Sequence, residues 1–157
     1  MADTIQTPSA KEIYKLICDA LDERKWHYEK DDEENAVYVG VSGEDLPIKL
    51  IMLADEKRKL IRMLSPLPFK MSEDKRMEGA LATTAVNYGM ADGSFDYNIS
   101  DGTIVFRITA TYRESRIDTE LIQYLIAVTV TMVEKYNDKF FAINKGMLSI
   151  SDFLEQR

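Results

Sequence analysis

Side chains from which catalytic and metal sites are usually built are scarce in this sequence. Its 157 residues include one histidine, His27, and one cysteine, Cys18. A structural zinc site takes four ligands, and a general base needs a partner within hydrogen-bond reach, so neither residue founds a site by itself. A single cysteine also excludes an intrachain disulfide, which points to a reducing compartment and a cytoplasmic chain. No apolar run approaches the ~20 residues needed to cross a bilayer, so no membrane contact is expected. The start, Met1-Ala2-Asp3-Thr4, has neither the basic nor the apolar region of a secretory leader. No glycine-rich phosphate loop and no Gly-x-Ser-x-Gly elbow occur. An enzyme is therefore not expected, nor is any metal or cofactor.

The remaining composition is that of a folded domain, 45% hydrophobic and 30% charged, with 7 Gly and 4 Pro. A chain of this size can bury roughly 70% of its unfolded surface in one core. We expect a flexible tail over residues 1–8 and a single α+β domain over 9–157. The formal charge of −7 argues against nucleic-acid binding, which needs cations to displace counterions from phosphates. The charge is uneven. Residues 1–48 hold 12 acidic and 5 basic groups, residues 49–76 hold 4 and 8, and residues 77–157 hold 11 and 7. The basic stretch, with Lys57-Arg58-Lys59 and Arg62, reads as a solvated hairpin tip before it reads as a phosphate site.

Periodicity supplies the elements. Ser9 and Glu12 form a capping box ahead of a helix whose Ile13, Leu16, Ile17, Ala20 and Leu21 share one face. Residues 25–42 alternate as a hairpin around the acidic turn 31–35, and two more strands are expected from Ile48 to Ala54 and from Lys59 to Leu64, ending ahead of Pro66 and Pro68. Ser72 opens a second helix with Met77, Leu81, Ala85 and Tyr88 as its apolar stripe and Gly89 as its stop. Strands follow on both sides of Asp101-Gly102, read as a two-residue turn that sets Ile99 against Ile104, Tyr97 against Phe106 and Phe95 against Ile108. Asp118 or Thr119 opens a long helix reaching toward Gly146, and a short turn or helix closes the chain at 152–156. The order is α-β-β-β-β-α-β-β-α, an antiparallel sheet with packed helices.

That order resembles the type III secretion chaperone-like fold. Within it, Leu67-Pro68-Phe69, Asn87-Tyr88-Gly89, Gly93-Ser94-Phe95, Asp101-Gly102, Phe106-Arg107 and Lys135-Tyr136 resemble the YbjN-like family of bacterial sensory transduction regulators. The likeness covers residues 65–146 by motif and the first half by element order. It implies a cytosolic bacterial regulator or chaperone-like binding protein, and it carries over no site residues.

The remaining candidates read as structure. His27 falls on a strand beside Trp26. Cys18 sits on a helix as a small packed hydrophobe. The acidic turn at 31–35 lacks the glycine an EF-hand loop needs at its sixth position, where Ala36 stands. Asp96 and Arg107 read as a surface ion pair across a hairpin. Eight methionines could line an adaptable surface, although Met77 and Met132 are expected in the core. The strands at 48–64 are apolar on both faces. Ile51, Leu53, Ile61 and Met63 are therefore expected opposite the core-facing set, as a surface for a protein partner or a second copy of the chain. The expected function is a non-enzymatic protein-binding module. The alternative is a small-ligand sensor with an aromatic pocket between the sheet and the last helix.

Overall fold

The computed structural model describes residues 4–156. The tail expected over 1–8 lies partly outside them. Within it, Thr7 accepts a hydrogen bond from the Glu114 N–H at 2.9 Å.

The first helix, α1 (Ala10–Glu23), begins with the expected capping box. The Glu12 N–H donates to the Ser9 hydroxyl at 3.1 Å, and the Ser9 N–H donates to the Glu12 carboxylate at 2.6 Å. Ile13, Ile17, Ala20 and Leu21 are fully buried, as the spacing requires. The following hairpin is shorter than its alternation suggests. Residues 24–28 turn the chain out of α1, with the Trp26 N–H on the Leu21 carbonyl, so β1 (Glu29–Asp31) keeps three residues against β2 (Ala36–Val41).

Strands β3 (Ile48–Asp55) and β4 (Leu60–Lys70) come next. The second runs through both prolines that were expected to end it. Its pairing with β3 reaches only as far as Ile51 opposite Leu64. Beyond that point β4 has only the strand on its other side, so a residue without an N–H need not remove a ladder bond.

A single 3₁₀ turn (Glu73–Lys75) leads into α2 (Arg76–Tyr88), then β5 (Ser94–Asn98) and β6 (Thr103–Thr111). The hairpin register differs from the expected one by two residues. Phe95 lies opposite Phe106 and Tyr97 opposite Ile104, and Ile99 to Gly102 form a four-residue connection. A shift of two preserves the faces, so the aromatic side still points inward while Ile99 is half exposed. Gly102 adopts φ +79°, and a Cβ there would stand 2.1 Å from the Met71 carbonyl oxygen. The loop is thus pressed against the end of β4, and a longer connection replaces the tight turn.

The chain ends with α3 (Thr119–Asn144), capped by Asp118 through the Leu121 N–H at 3.2 Å, and α4 (Ile150–Gln156). The sheet order is β1-β2-β3-β4-β6-β5, antiparallel at every junction. Helix α3 contacts β3, β4 and β6; α1 contacts β2 and β3; α2 contacts β5; and α4 contacts α2. These helices share one side of the sheet. Their core takes Val37, Val39, Leu50, Met52, Ile61, Met63, Phe95 and Phe106, all buried. The other side of the sheet carries no helix among the described residues.

Candidate partner-binding surfaces

The titratable side chains gather in structural roles. Cys18 is buried, and burial pushes its thiol above the ordinary range. Beside it, Tyr14 donates to Asp32 at 2.6 Å and Tyr28 donates to Asp22 at 2.9 Å. Burial first, and those carboxylates second, hold both phenols well above their ordinary value. The two bonds tie α1 to the first hairpin. In the acidic turn, Asp31 accepts the N–H groups of Glu33 and Glu34 at 3.2 and 3.0 Å, so its carboxylate closes the turn. His27 is exposed, and no group of three or more His, Cys, Asp and Glu capable of holding a metal occurs among the described residues.

Asp96 and Arg107 meet at 2.6 Å with a second contact at 3.2 Å, on a diagonal of the hairpin. Burial pushes the Asp96 carboxyl up, but hydrogen bonds from Arg107 and Ser94 outweigh it and hold the group below its ordinary value. Both side chains are nearly half exposed, 42% and 45%, which is the setting of a surface pair. The space between the sheet and α3 is filled by aromatic side chains. Phe95 makes edge contacts with Phe106 and Phe140 at 5.2 and 5.1 Å, and Phe140 meets Phe153 at 6.0 Å. The aromatics expected to line a ligand pocket there form solid core.

Two surfaces remain open. The first is the helix-free side of the sheet. In the β3–β4 hairpin Leu53 pairs with Arg62 and Ile51 with Leu64, so odd-numbered residues of β3 share a face with even-numbered residues of β4. Ile51 and Leu53 therefore lie on the open side, as expected. Ile61 and Met63 do not. They oppose Ala54 and Met52 on the core side and are 1% and 0% exposed. The open row instead runs Tyr38, Ile51, Leu64 and Arg107 across four strands.

The second surface belongs to α2 and reverses its expected orientation. Gly79, Ala82, Thr83 and Val86 face inward, while Met77, Leu81 and Tyr88 are 64%, 52% and 90% exposed. The cause is how closely the helix lies on the sheet. A Cβ at Gly79 would stand 2.8 Å from Met71 Cγ and from the Tyr97 hydroxyl, and that hydroxyl donates to the Arg76 carbonyl at 2.8 Å. Only the small-residue face fits such an approach, so the large apolar face turns to solvent. Met77 accordingly leaves the core in which the sequence places it. A signal for this exists in the sequence: residues 77–91 contain Glu78 as their only charge in a chain that is 30% charged. Alongside, a cleft of about 450 Å³ runs between α2 and α3, lined by Val86, Met90, Val128, Met132 and Tyr136.

Comparison with known proteins agrees with this architecture. No curated protein matches the chain by sequence. Among solved structures, the ExsC–ExsE complex superposes with a TM-score of 0.58 at 11% identity, over 82% of this chain and 93% of the other. The HopA1–SchA chaperone–effector complex gives 0.53 at 12% identity, over 80% and 93%. At these identities the likeness is one of fold, type III secretion chaperone-like. The family model described as "Putative bacterial sensory transduction regulator" matches residues 14–142, most of the chain, and the protein belongs to that family, YbjN.

Proposed function

We propose that this chain is a non-enzymatic, chaperone-like protein-binding module of the bacterial cytosol, and that the outward face of α2 is its principal docking surface. The observation that carries this is the exposure of Met77, Leu81 and Tyr88 at helical spacing. Large apolar side chains gathered on one exposed helix face mark an interaction site more often than solvated decoration. The occupant favoured by the charge distribution is a second copy of the chain. Two molecules of charge −7 repel unless they meet where charge is absent, and residues 77–91 are such a place. The fold likeness to a chaperone–effector complex supports a protein partner over a small ligand.

Sedimentation velocity on the purified chain tests this. The wild type is expected to sediment as a dimer of the 18.0 kDa chain, and Leu81→Asp as a folded monomer with an unchanged circular dichroism spectrum. A wild-type monomer across the micromolar range would remove the homodimer, as would a dimer indifferent to Leu81→Asp.

A further inference from the structure

At three places in the sheet a strand lacks a neighbouring strand on one side. The outer edge of β5 is closed from within: Asn87 Nδ2 donates to the Phe95 carbonyl at 2.9 Å, and the Phe95 N–H donates to Asn87 Oδ1 at 2.7 Å. One side-chain amide thus occupies the position a neighbouring strand would take. At the opposite edge β1 is three charged residues long, and short, charged edges resist pairing. The third place lies inside the sheet. Pairing between β3 and β4 stops at Ile51 opposite Leu64. Ile48–Leu50 therefore keep only β2 beside them, and the stretch from Ser65 to Lys70 keeps only β6. The two strands part, and the cleft between them opens into a groove of about 640 Å³, within the range of ligand-sized sites.

The groove's lining is specific. Tyr38, Gly40 and Lys49 share the helix-free face, and Pro47, Pro66 and Pro68 supply rigid apolar walls. Gly40 lies inside β2, its φ outside the left-handed region, and a Cβ there would meet nothing within 4 Å. No turn and no packing contact requires glycine at this position. A glycine of that kind in a strand marks the close approach of a ligand or another backbone. Directly opposite it, Lys49 is exposed and makes no ion pair among the described residues; its ammonium lies 5.8 Å from the Tyr38 ring. Lys49 is the one Lys or Arg in the groove's lining, and Glu29 is its one carboxylate, so an unpaired ammonium is available there to a carboxylate of an occupant.

We propose that the cleft holds an extended segment of a partner polypeptide. Its main chain pairs with the free edge of β3 at Ile48–Leu50, an apolar side chain descends over Gly40 between Tyr38 and Pro66, and a neighbouring carboxylate meets Lys49. Strand addition supplies affinity through main-chain bonds, and the pocket supplies selectivity. The free strand edge favours a polypeptide over a small apolar molecule, which has no backbone to pair. The inference rests on the protein-binding reading and adds to it a second surface and the chemistry of its occupant.

A phage-displayed library of random linear heptapeptides, panned on the full chain, provides the probe. Enriched peptides are expected to combine a large apolar residue with Asp or Glu. In fluorescence anisotropy, Gly40→Trp, which fills the groove, should weaken them by about tenfold or more, as loss of a central apolar anchor does. Lys49→Glu should weaken them several-fold, with the loss shrinking as salt is raised. Gly40→Trp places its side chain in open space, so its melting temperature should match the wild type and exclude unfolding as the cause. Three results would overturn the proposal: no enrichment, peptides that bind Gly40→Trp as tightly as wild type, or a groove that takes anilinonaphthalene sulfonate in a Gly40-dependent way while enriching no peptide. Neither variant touches α2. Loss of peptide binding with the dimer intact removes only the groove, and loss of the dimer with peptide binding intact removes only the α2 face.

Discussion

Helices α1 and α2 carry similar apolar stripes, and the molecule buries one and leaves the other in solvent. In α1, Ile13, Ile17 and Leu21 are completely enclosed; in α2, Met77, Leu81 and Tyr88 are more than half exposed. The difference lies in what each helix packs on. Helix α1 crosses β2 and β3 and touches α3, a broad apolar surface that large side chains fill. Helix α2 lies on β5, where Tyr97 and Met71 come within 2.8 Å of the Gly79 Cβ position. There Gly79, Ala82, Thr83 and Val86 lie beneath the helix, none of them larger than valine. An apolar stripe records that a helix has an apolar face, and distance to the neighbour decides whether that face meets the core.

Truncating matched leucines should separate the two helices most strongly. Leu21→Ala should cost about 3 kcal/mol in denaturant unfolding, as buried leucines do. Leu81→Ala should change the stability of the monomer by less than about 0.5 kcal/mol. Equal costs would mean that the two faces are not different in kind. Gly79→Val tests the reason given for the orientation. It forces Met71 and Tyr97 aside and should cost about 1–3 kcal/mol, whereas the same change at Gly40, where nothing lies within 4 Å, should be neutral or stabilising. If Gly79→Val is tolerated as well as Gly40→Val, close approach is not what turns α2 outward.

An effect of similar size is expected where α2 plugs the sheet edge. Asn87→Ala leaves the N–H and carbonyl of Phe95 without their partners and should cost about 1–3 kcal/mol. It should also raise the tendency to associate edge to edge, read as a rise in light scattering with time. The smallest effect belongs to the Asp96–Arg107 pair. Because the folded carboxyl lies below its ordinary value, its stabilisation is present above about pH 4 and is lost as the pH falls through the lowered value. With both groups nearly half exposed to solvent and screened, it should amount to less than about 1 kcal/mol, seen as a shallower acid limb in Asp96→Asn.

The fold was legible wherever one local rule decided it. The capping box at Ser9 and Glu12, the Asp118 cap and the alternation of β5 and β6 all placed their elements correctly, because hydrogen bonds within a few residues settle them. Register was less legible. Asp101-Gly102 signals a tight turn, but the contact of Gly102 with Met71 lengthens it to four residues, and that contact joins positions about 30 apart in sequence. The faces of β4 differ from expectation for a local reason. Any turn with an even number of residues pairs odd with even positions, so Ile61 and Met63 face the core while Ile51 and Leu53 lie on the open side. The orientation of α2 was the hardest to read, since it depends on a distance between elements. The groove at the β3–β4 split depends on where two strands stop pairing, which no local pattern reports.

If α2 is the docking surface proposed, its outward face is covered by another polypeptide in solution. Methyl-labelled methionine read by NMR with a soluble gadolinium chelate tests it most directly, because Met77 is 64% exposed in the isolated chain while Met52 is fully buried. In the wild type, Met77 should be broadened little more than Met52, and in Leu81→Asp it should broaden strongly. A Met77 signal broadened as much in the wild type as in the variant would show that face open to water and contradict the claim.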